Sequence, residues 1–553
     1  MSFIRRPRKD KSVHHARQSS GGAPRRLSVR ERQPARAFAV CIDIPGTPVD
    51  AGPHSGYCVR DTVFLRRRKL PTTAIRLGAI ALAFMAAHAF GGPLDDSHVG
   101  DTGFSGPTTG DLTAVYWNPA GLGLLQGARM MIGGTLQTTS VSIDRASIDP
   151  QTGGNPGSAS FPTATGSATQ QPFRWPIGPN GFLALGADIG RRFGIAVAMY
   201  SPFSSKLSLS PASDAPARYH LVEMEMNHIG LVPAIAIHAS DWIQIGVAGP
   251  GFLFPTAHMV FDQTTGPGPA GAEDPTTTAR YDLATRGIIA PSLFLSLGAL
   301  YHRGRLSVGI AYTSAPLGTG GEMKLPMDNV QIRPPATFGD QSLCPANLTS
   351  DCLFGQMSYH LPSIYTLGAS WQASQHWSIA GMVRWLRYGS NDKVTILLSG
   401  PASQQSWLGT SLPDHIVMYR GFVDSVDIRG RVSYETKPFR ASGTLRVETS
   451  AVPASHVNAG AIDGTKLEPS VAAEMRVWRQ IRVGASYAFL WMLPVDTGSS
   501  VFDPTANAAC TSANGDLSNP ACQARMNGQA RPSAAGTYHL WRQTLSLYTT
   551  IGF

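Results

Sequence analysis

The sequence has no apolar run of the roughly 18–20 residues that a membrane-spanning helix needs, although 42% of its residues are hydrophobic. Charged residues make up only 15% of the 553, and 58 residues are Gly. The missing runs disfavour a bundle of membrane helices. A membrane-spanning β-barrel remains compatible with the sequence, because each strand of a barrel is apolar on one face only and gives a weak hydropathy signal.

Most of the chain has no excess of basic over acidic residues, although the formal net charge of the whole chain is +10. Residues 1–89 contain 17 of the 46 Lys and Arg residues but only 5 of the 36 Asp and Glu residues. From Phe90 onward, 29 basic residues stand against 31 acidic ones. The chain beyond residue 89 is therefore nearly neutral, and its charge gives no reason to expect a nucleic-acid partner.

The basic residues surround a targeting segment at residues 65–89. Arg66–Lys69 precede the apolar stretch Leu77–Ala87, and the triplet Ala-His-Ala then supplies a small-x-small cleavage site. This order is typical of a secretory signal peptide. We therefore expect export from the cytoplasm and a mature protein that begins at or near Phe90.

Residues 1–64 stand in front of this signal. They are rich in Arg, Ser and Pro and show no sustained hydrophobic period. A signal peptide normally opens the chain. We interpret residues 1–64 as disordered or as an upstream extension from a mis-assigned start of the gene.

Cysteine is scarce, and two of the six residues lie in residues 1–64. The other four form two pairs that are close in sequence, Cys344 with Cys352 and Cys510 with Cys522, in Gly-, Pro- and Asn-rich stretches. In an oxidising compartment such pairs predict two local disulfides in loops. A zinc site is disfavoured, because there is no Cys-x-x-Cys and no nearby His pair.

The end of the chain carries the strongest strand pattern. Residues 541–553 alternate between apolar and polar or small side chains and finish on Phe553. A strand with lipid on one face and a lumen on the other needs this period of two. One face is predicted to carry Trp541, Gln543, Leu545, Leu547, Thr549, Ile551 and Phe553, and the other Arg542, Thr544, Ser546, Tyr548, Thr550 and Gly552.

Similar alternation recurs from about residue 128, with short turns on one side and long polar loops on the other. This asymmetry is typical of outer-membrane barrels, whose short turns face the periplasm. We predict an all-β fold, a transmembrane antiparallel β-barrel of about 14 strands over residues 128–553. The predicted segments are a first strand at 128–148, hairpins at 180–209, 219–262, 280–318, 357–398, 425–450 and 467–497, and a last strand at 537–553.

Charged residues within two of these segments are predicted to face the lumen. Glu223 and Glu225 alternate with apolar residues, as do Arg429 and Arg431 in a later strand. A charge on the lipid face of a barrel costs a few kcal/mol. The sequence therefore predicts a wide barrel with both signs of charge inside.

The segment Asp111–Leu122, DLTAVYWNPAGL, resembles the Asn-Pro-Ala signature of the FadL/TodX family of outer-membrane hydrophobic-compound transporters. The resemblance extends at low identity through Gly194–Lys206 (GIAVAMYSPFSSK), Val232–Gly246 and Leu361–Trp385 to the terminal Phe553. It covers essentially the whole mature chain. The 14-strand estimate, made from alternation, equals the family's strand number.

The resemblance implies passive uptake of hydrophobic small molecules, long-chain fatty acids or hydrocarbons. Residues 90–127 would form a hatch in the lumen that contains Asn118, Pro119 and Ala120. A break in the third strand, at Ser201, Pro202 and Phe203, would open a lateral gap to the bilayer.

The resemblance also implies a monomer without cofactor, metal or catalytic residues. It would lie among outer-membrane lipid and lipopolysaccharide, and barrel-assembly machinery would recognise it through Phe553. Nucleic acid is not an expected partner.

Alternatives remain for these motifs. Pro202 could equally begin the second loop, and Asn118-Pro119 could form a turn into the first strand. A lipid-active enzyme is disfavoured because no Gly-x-Ser-x-Gly motif occurs, and His220, His228 and His238 are too far apart along a strand to bind one metal. A structural or adhesive barrel and an open porin are further alternatives.

Overall fold

A ring of antiparallel strands dominates the computed structural model of the chain. The structure describes residues 99–145, 165–169, 181–190, 192–209, 221–264, 278–285, 291–333, 353–391, 393–401, 406–407, 410–411, 415–498 and 534–553. All of them belong to the unit Leu70–Phe553. The residues of the expected signal peptide, the expected mature N-terminus and the four paired cysteines lie outside this described part.

The described strands are, in chain order, β1 (Arg129–Arg145), β2 (Thr165–Thr169), β3 (Phe182–Ile189), β4 (Phe193–Tyr200), β5 (Ser205–Ser208), β6 (Glu223–Ser240), β7 (Ile243–Thr264), β8 (Thr278–Ala284), β9 (Ser292–Arg303), β10 (Leu306–Thr313), β11 (Glu322–Met327), β12 (Asn329–Arg333), β13 (Phe354–His360), β14 (Ile364–Gln372), β15 (Trp377–Leu386), β16 (Lys393–Ser399), β17 (Ser406–Trp407), β18 (Thr410–Ser411), β19 (His415–Tyr419), β20 (Ser425–Glu435), β21 (Phe439–Glu448), β22 (Lys466–Trp478), β23 (Ile481–Met492), β24 (Val495–Thr497) and β25 (Gly536–Gly552).

The helices are short. The single α-helix of the described residues, α1, spans Ala114–Trp117, and 3-10 helices span Pro119–Leu124, Tyr388–Ser390 and Ala454–His456. Within the described ranges, no helix has the length and apolar character to cross a membrane.

Fourteen strands close into a barrel. The last strand closes the ring by pairing with the first along its whole length, from Arg129 opposite Gly552 to Arg145 opposite Gly536. Closure leaves these strands without exposed edges. The predicted all-β barrel and its strand number are therefore confirmed. The ring order is β1, β3, β4, β6, β7, β9, β10, β14, β15, β20, β21, β22, β23 and β25.

Six tight turns join neighbouring strands at one end of the ring, which we call the turn end. They join β3–β4, β6–β7, β9–β10, β14–β15, β20–β21 and β22–β23, and each lies within one of the six predicted hairpins. Gly190 and Gly304 have φ values of +58° and +61° in two of these turns. That left-handed backbone suits glycine because it has no Cβ. We call the opposite end the loop end.

Side chains alternate across the wall as a barrel requires. On β4, Phe193, Ile195 and Val197 are 44%, 39% and 40% exposed, whereas Ala198 is buried. On β25, Leu547 is 51% exposed and Arg542 is 2% exposed. The large apolar residues thus form the outer surface, and the small or polar residues face the interior.

A second sheet, the loop-end sheet, consists of β11, β13, β16 and β19. Its strands continue from β10, β14, β15 and β20 beyond the ring. One face is apolar and buried and the other carries exposed residues such as Lys324 and Gln356. The buried face and the inward residues of β6, β7 and β8 together form one hydrophobic core. This core, the methionine-rich core, contains Met224, Met226, Met259, Phe261, Tyr281, Met323, Met327, Met357, Tyr359, Ile396 and Met418.

Candidate functional site

Residues 99–126 lie inside the ring, and we call them the inner segment. Val99, Leu112, Val115 and Trp117 are at most 2% exposed. The 3-10 helix Pro119–Leu124 packs against β4, β6, β7 and β9, and the chain before it reaches β20 and β21 on another side of the ring. The segment therefore contacts the wall in several directions and fills the lumen at this level.

Short-range hydrogen bonds shape the inner segment. The carboxylate of Asp111 accepts bonds from the backbone N–H and the hydroxyl of Thr113, at 2.8 and 2.5 Å, just before α1. Asn118 then caps the 3-10 helix by accepting a bond from the N–H of Ala120 at 3.1 Å. Pro119 occupies the first helical position, where its missing N–H costs nothing.

Asn118 also binds the segment to the wall. Its Nδ2 donates to the carbonyl of Pro107 at 2.7 Å and to the carbonyl of Ala299 on β9 at 3.1 Å. The side chain is fully buried. The predicted motif residues Asn118, Pro119 and Ala120 therefore lie together against β7 and β9, and Asn118 has partners for all its main hydrogen-bonding groups.

Glycines in the wall allow this close approach. A Cβ on Gly298 would overlap Oδ1 of Asn118, and a Cβ on Gly246 would overlap the Pro119–Ala120 peptide. Gly246 and Gly298 are cross-strand neighbours on β7 and β9. Gly194 and Gly309 meet Leu122 and Pro107 in the same way. We call Gly194, Gly246, Gly298 and Gly309 the glycine band.

The sequence reasoning missed the glycine band. Each of the four glycines occupies an inward position of a different strand, and that recurrence was the available signal. It did not reveal what packs against them, because the inner segment is far away in sequence.

Arginines contact the inner segment on another part of the wall. The guanidinium groups of Arg384 and Arg429 both lie over the ring of Trp117, 4.9 and 5.1 Å from its centroid. Arg431 donates to the carbonyl of Ser105 at 2.8 Å. These are cation–π and hydrogen-bond contacts of desolvated cations. We call Arg384, Arg429, Arg431 and Arg440, which stacks on Phe104 at 4.1 Å, the arginine sector.

Buried carboxylates balance this sector. Asp427 is fully buried and lies 2.7 Å from Arg429, 3.2 Å from Arg446 and 3.7 Å from Arg384. Glu474 lies 2.7 Å from Arg440. Burying a charge is costly unless it is paired, so the cations and carboxylates require each other.

A small polar cavity remains between the inner segment and this network. Asp101, Ser105, Arg429, Arg431 and Glu468 line it, and its volume is about 40 Å³. That space holds on the order of one water molecule.

The third strand of the ring is interrupted above the inner segment. β4 ends at Tyr200, opposite Gly230, and β5 begins at Ser205, opposite Met226. Four residues, Ser201–Ser204, thus stand opposite three residues of the continuous β6. Phe203 has φ +54° and is the single non-glycine residue of the described part with a positive φ. The structure places the sequence-predicted Ser201, Pro202 and Phe203 in this interruption.

The predicted lumen charges divide into two groups. Arg429 and Arg431 point inward, as described above. Glu223 and Glu225 do not, because Met224, Met226 and His228 are the buried, inward residues of that part of β6. The expectation for the two glutamates is thus corrected.

The alternation was assigned to the wrong face in β6. Glu223 and Glu225 lie in phase with Ile229 and Leu231, which are 37% and 41% exposed on the outer surface. The two carboxylates lie where β6 pairs with β5 beyond the break, and His258 is 3.7 Å from Glu223. A polar neighbourhood at the loop end makes an outward carboxylate inexpensive.

The histidines of β6 are inward and bound to backbone. His238 Nε2 lies 2.6 Å from the carbonyl of Gly123 in the inner segment. His228 Nδ1 lies 2.9 Å from the carbonyl of Phe203 in the strand break. His220 and the pairs Cys344–Cys352 and Cys510–Cys522 lie outside the described residues.

A family model described as "Outer membrane protein transport protein (OMPP1/FadL/TodX)" matches residues 86–537. The match includes the inner segment and the ring from β1 to β23. The chain belongs to this family. FadL/TodX proteins are outer-membrane β-barrels that transport hydrophobic compounds, and this protein is accordingly an outer-membrane barrel.

Solved structures show the same fold as this FadL/TodX member. The crystal structure of a Pseudomonas aeruginosa FadL homologue superposes with a TM-score of 0.62 at 13% identity, covering 84% of this chain and 100% of that one. The Pseudomonas putida toluene transporter TodX superposes with a TM-score of 0.54 at 10% identity, covering 84% and 99%. None of the curated protein sequences compared with the chain matches it.

Proposed function

We propose that the protein is a passive transporter that carries hydrophobic small molecules, long-chain fatty acids or hydrocarbons, across the bacterial outer membrane. One observation carries this proposal: the inner segment fills the lumen while the neighbouring wall strand is interrupted at Ser201–Ser204. A filled lumen opposes a straight aqueous pore. An interrupted hydrogen-bond ladder at membrane depth has to line a cavity or be satisfied by protein, which favours a sideways route into the bilayer.

The ligand would first meet the loop end, which we assign to the extracellular side because the short turns of such barrels face the periplasm. There the methionine-rich core offers apolar side chains that adapt to irregular shapes. Lipopolysaccharide obstructs direct entry of hydrophobic molecules into the outer leaflet. A protein route around this barrier needs no energy source if the ligand moves down its gradient.

The inner segment would act as a hatch. It is bound to the glycine band through Asn118 and to the arginine sector through Trp117, so it blocks ions and water without being part of the wall. The strand break would supply lateral release. Pro202 lacks an amide N–H and cannot complete the ladder there, and the ligand would pass from the lumen to the hydrocarbon layer.

We further propose that the protein is a monomer, that it needs no cofactor, and that it assembles in the outer membrane through its terminal Phe553. Phe553 is exposed at the end of β25, where an assembly factor could bind it. The toluene transporter TodX among the similar structures supports a hydrocarbon, and the wider family range includes fatty acids. Competition between oleate and toluene for the same uptake would separate these ligands.

The test is uptake into vesicles together with ion conductance. Purified barrels in vesicles whose outer leaflet contains lipopolysaccharide should accelerate entry of N-phenyl-1-naphthylamine, an uncharged hydrophobic fluorophore, over vesicles of the same composition without protein. In planar bilayers the same protein should pass little steady current. A variant that lacks residues 90–125 should fold and conduct more, because the ring closes without that segment.

Three outcomes would contradict the proposal. A steady current through the full-length protein would indicate an open porin. Uptake no faster than in empty vesicles would exclude transport of this probe class. A truncated barrel that does not fold would make the inner segment part of the structural core rather than a hatch.

A further inference from the structure

One buried side chain joins the strand break to the loop-end sheet. His228 of β6 is 0% exposed. Its Nδ1 lies 2.9 Å from the carbonyl oxygen of Phe203 and its Nε2 lies 2.6 Å from the hydroxyl of Tyr359. Its backbone N–H donates to Oγ of Ser204 at 3.1 Å. Two residues of the break and one residue of β13 thus meet at a single imidazole.

The chemistry of these groups sets the direction of both bonds. A carbonyl oxygen only accepts, so Nδ1 carries the proton that Phe203 receives. In the neutral ring Nε2 is then an acceptor, and Tyr359 donates to it. Every polar atom of the ring has a partner in this arrangement. Displacement of Tyr359 would leave Nε2 buried without a donor, which is costly in an apolar core.

Tyr359 lies in a part of the molecule that can respond to a ligand. It is 1% exposed and belongs to the methionine-rich core between the loop-end sheet and strands β6–β8. Its ring packs edge to face on His228 with centroids 5.8 Å apart. A hydrophobic molecule that enters this core from the loop end has to separate the two layers, and Tyr359 lies in the layer that would move.

The break has a reason to change conformation when released. Phe203 is non-glycine with φ +54°, a backbone region that is unfavourable for such a residue and persists only when its surroundings impose it. The bond from His228 to the Phe203 carbonyl is one such constraint. His228 takes its orientation in turn from Tyr359.

We propose that the hydrogen bond between Tyr359 and His228 is a latch that couples the loop-end sheet to the strand break. Ligand in the methionine-rich core displaces Tyr359, His228 loses its orientation, and Ser201–Ser204 relax into an open break. His228 and Tyr359 are positioning residues, since they act through Phe203 and Ser204. This inference rests on the proposed lateral release and adds its regulation: the break opens when ligand is present above it.

The test measures opening of the break directly. Ser201→Cys places a thiol in the break, and its labelling by a maleimide in detergent micelles is followed by mass mapping of the peptide. With His228 and Tyr359 intact, N-phenyl-1-naphthylamine should increase the labelling rate. Tyr359→Phe removes only the hydroxyl, so labelling without probe should rise roughly 5- to 30-fold, the ratio that corresponds to one or two kcal/mol, and the probe should no longer change it.

Tyr538→Phe is the matched control. Tyr538 is also 0% exposed, and its hydroxyl donates to the carbonyl of Ala534 at 2.7 Å, outside the methionine-rich core and the strand break. Loss of that hydrogen bond should leave labelling and its response to the probe unchanged. An equal rise in both variants would mean general loosening of the barrel and would overturn the latch.

A second variant tests the same hydrogen bond in case Tyr359→Phe does not fold. His228→Asn keeps an amide N–H for the Phe203 carbonyl and loses the bond to Tyr359, so it should reproduce the effect of Tyr359→Phe. The double variant should be no worse than either single variant, because both remove one interaction. Additive effects would overturn the proposal.

Failure of the latch can be told from failure of the proposed function. Normal probe uptake with unchanged labelling in both variants would refute the latch alone. Absence of uptake by the unmodified protein would refute the proposed function.

Discussion

The rings of Tyr116 and Tyr200 pack edge to face, with their centroids 5.4 Å apart. Tyr116 belongs to α1 of the inner segment, and Tyr200 is the last residue of β4 before the strand break. The hydroxyl of Tyr116 also accepts a bond from Arg384 at 3.1 Å. The residue that precedes the break is therefore contacted from the lumen by the inner segment, and the break itself is held by His228, which Tyr359 contacts from the loop end.

Gly298→Ala should open the lumen to ions. The new Cβ would overlap Oδ1 of Asn118, and overpacking of this kind costs typically about 1–3 kcal/mol. The inner segment can move while the paired strand cannot, so we expect higher single-channel conductance from a folded barrel. Gly443→Ala is the control, because its Cβ would meet open space. Equal conductance of the two variants would argue against a close fit between segment and wall.

Asp427→Asn should destabilise the barrel strongly. The substitution leaves Arg384, Arg429 and Arg446 short of the buried carboxylate that they share. Breaking a buried pair by removal of one partner costs about 3–5 kcal/mol, which urea unfolding followed by tryptophan fluorescence would measure. Asp424→Asn is the comparison, since Asp424 is exposed. A loss of less than about 1 kcal/mol at both positions would show that the network contributes little.

Pro202→Ala should slow uptake without loss of stability. Alanine supplies the amide N–H that proline lacks, and one added ladder bond contributes on the order of 1 kcal/mol net. A repaired strand closes the lateral route but leaves the inner segment in place, so conductance should stay low. Vesicle uptake of N-phenyl-1-naphthylamine and the urea midpoint check both parts. Unchanged uptake would show that Pro202 only begins a loop.

The loop end should lose stability as pH rises above 6.5, the usual pKa of histidine. His258 Nε2 lies 2.9 Å from Asp282 on β8, beyond the point where β7 leaves β9. The hydrogen bond to Asp282 raises the pKa of His258 above its usual 6.5, and the pKa of Asp282 is lowered by the same bond.

The sign follows from linkage. The stabilisation from His258 is complete below its unfolded pKa and is lost as pH rises through the raised folded pKa. The contribution of Asp282 is present above its unfolded pKa and is lost only as pH falls through its lowered one. Between pH 6 and 9, the hydrogen-exchange rate of β8 amides should therefore rise by more than the intrinsic exchange rate of unprotected amides rises. His258→Gln should abolish this additional increase. An identical profile in the variant would exclude this pair as the cause.

Much of the wall was predictable because its signals are local. Alternation with a period of two and short turns such as Gly190–Arg191 and Arg303–Gly304 are read within a dozen residues. The motif around Asn118 was also visible, since a resemblance over twelve contiguous residues carried it. The inward direction of Arg429 and Arg431 followed from the exposed Ile428 and Val432 on either side.

The face of β6 was predictable in principle but was assigned wrongly. An alternating strand has two phases, and Glu223 and Glu225 were assigned inward because carboxylates are costly in lipid. The same phase continues to Ile229 and Leu231 on the outer surface. The local cost argument failed because this part of β6 pairs with β5 beyond the strand break, and the polar side chain of His258 lies beside Glu223 there.

The sequence by itself determined that the chain forms alternating strands, where most of them turn, and that an Asn-Pro-Ala motif precedes the first. Only the tertiary structure decided what the strands enclose. Three sets of contacts, Gly298 with Asn118, Trp117 with Arg384 and Arg429, and His228 with Tyr359, join residues that are at least 131 positions apart in the sequence. Closure of the ring brings them together, since side chains from many strands converge on one lumen, and no local pattern records which inward residue faces which.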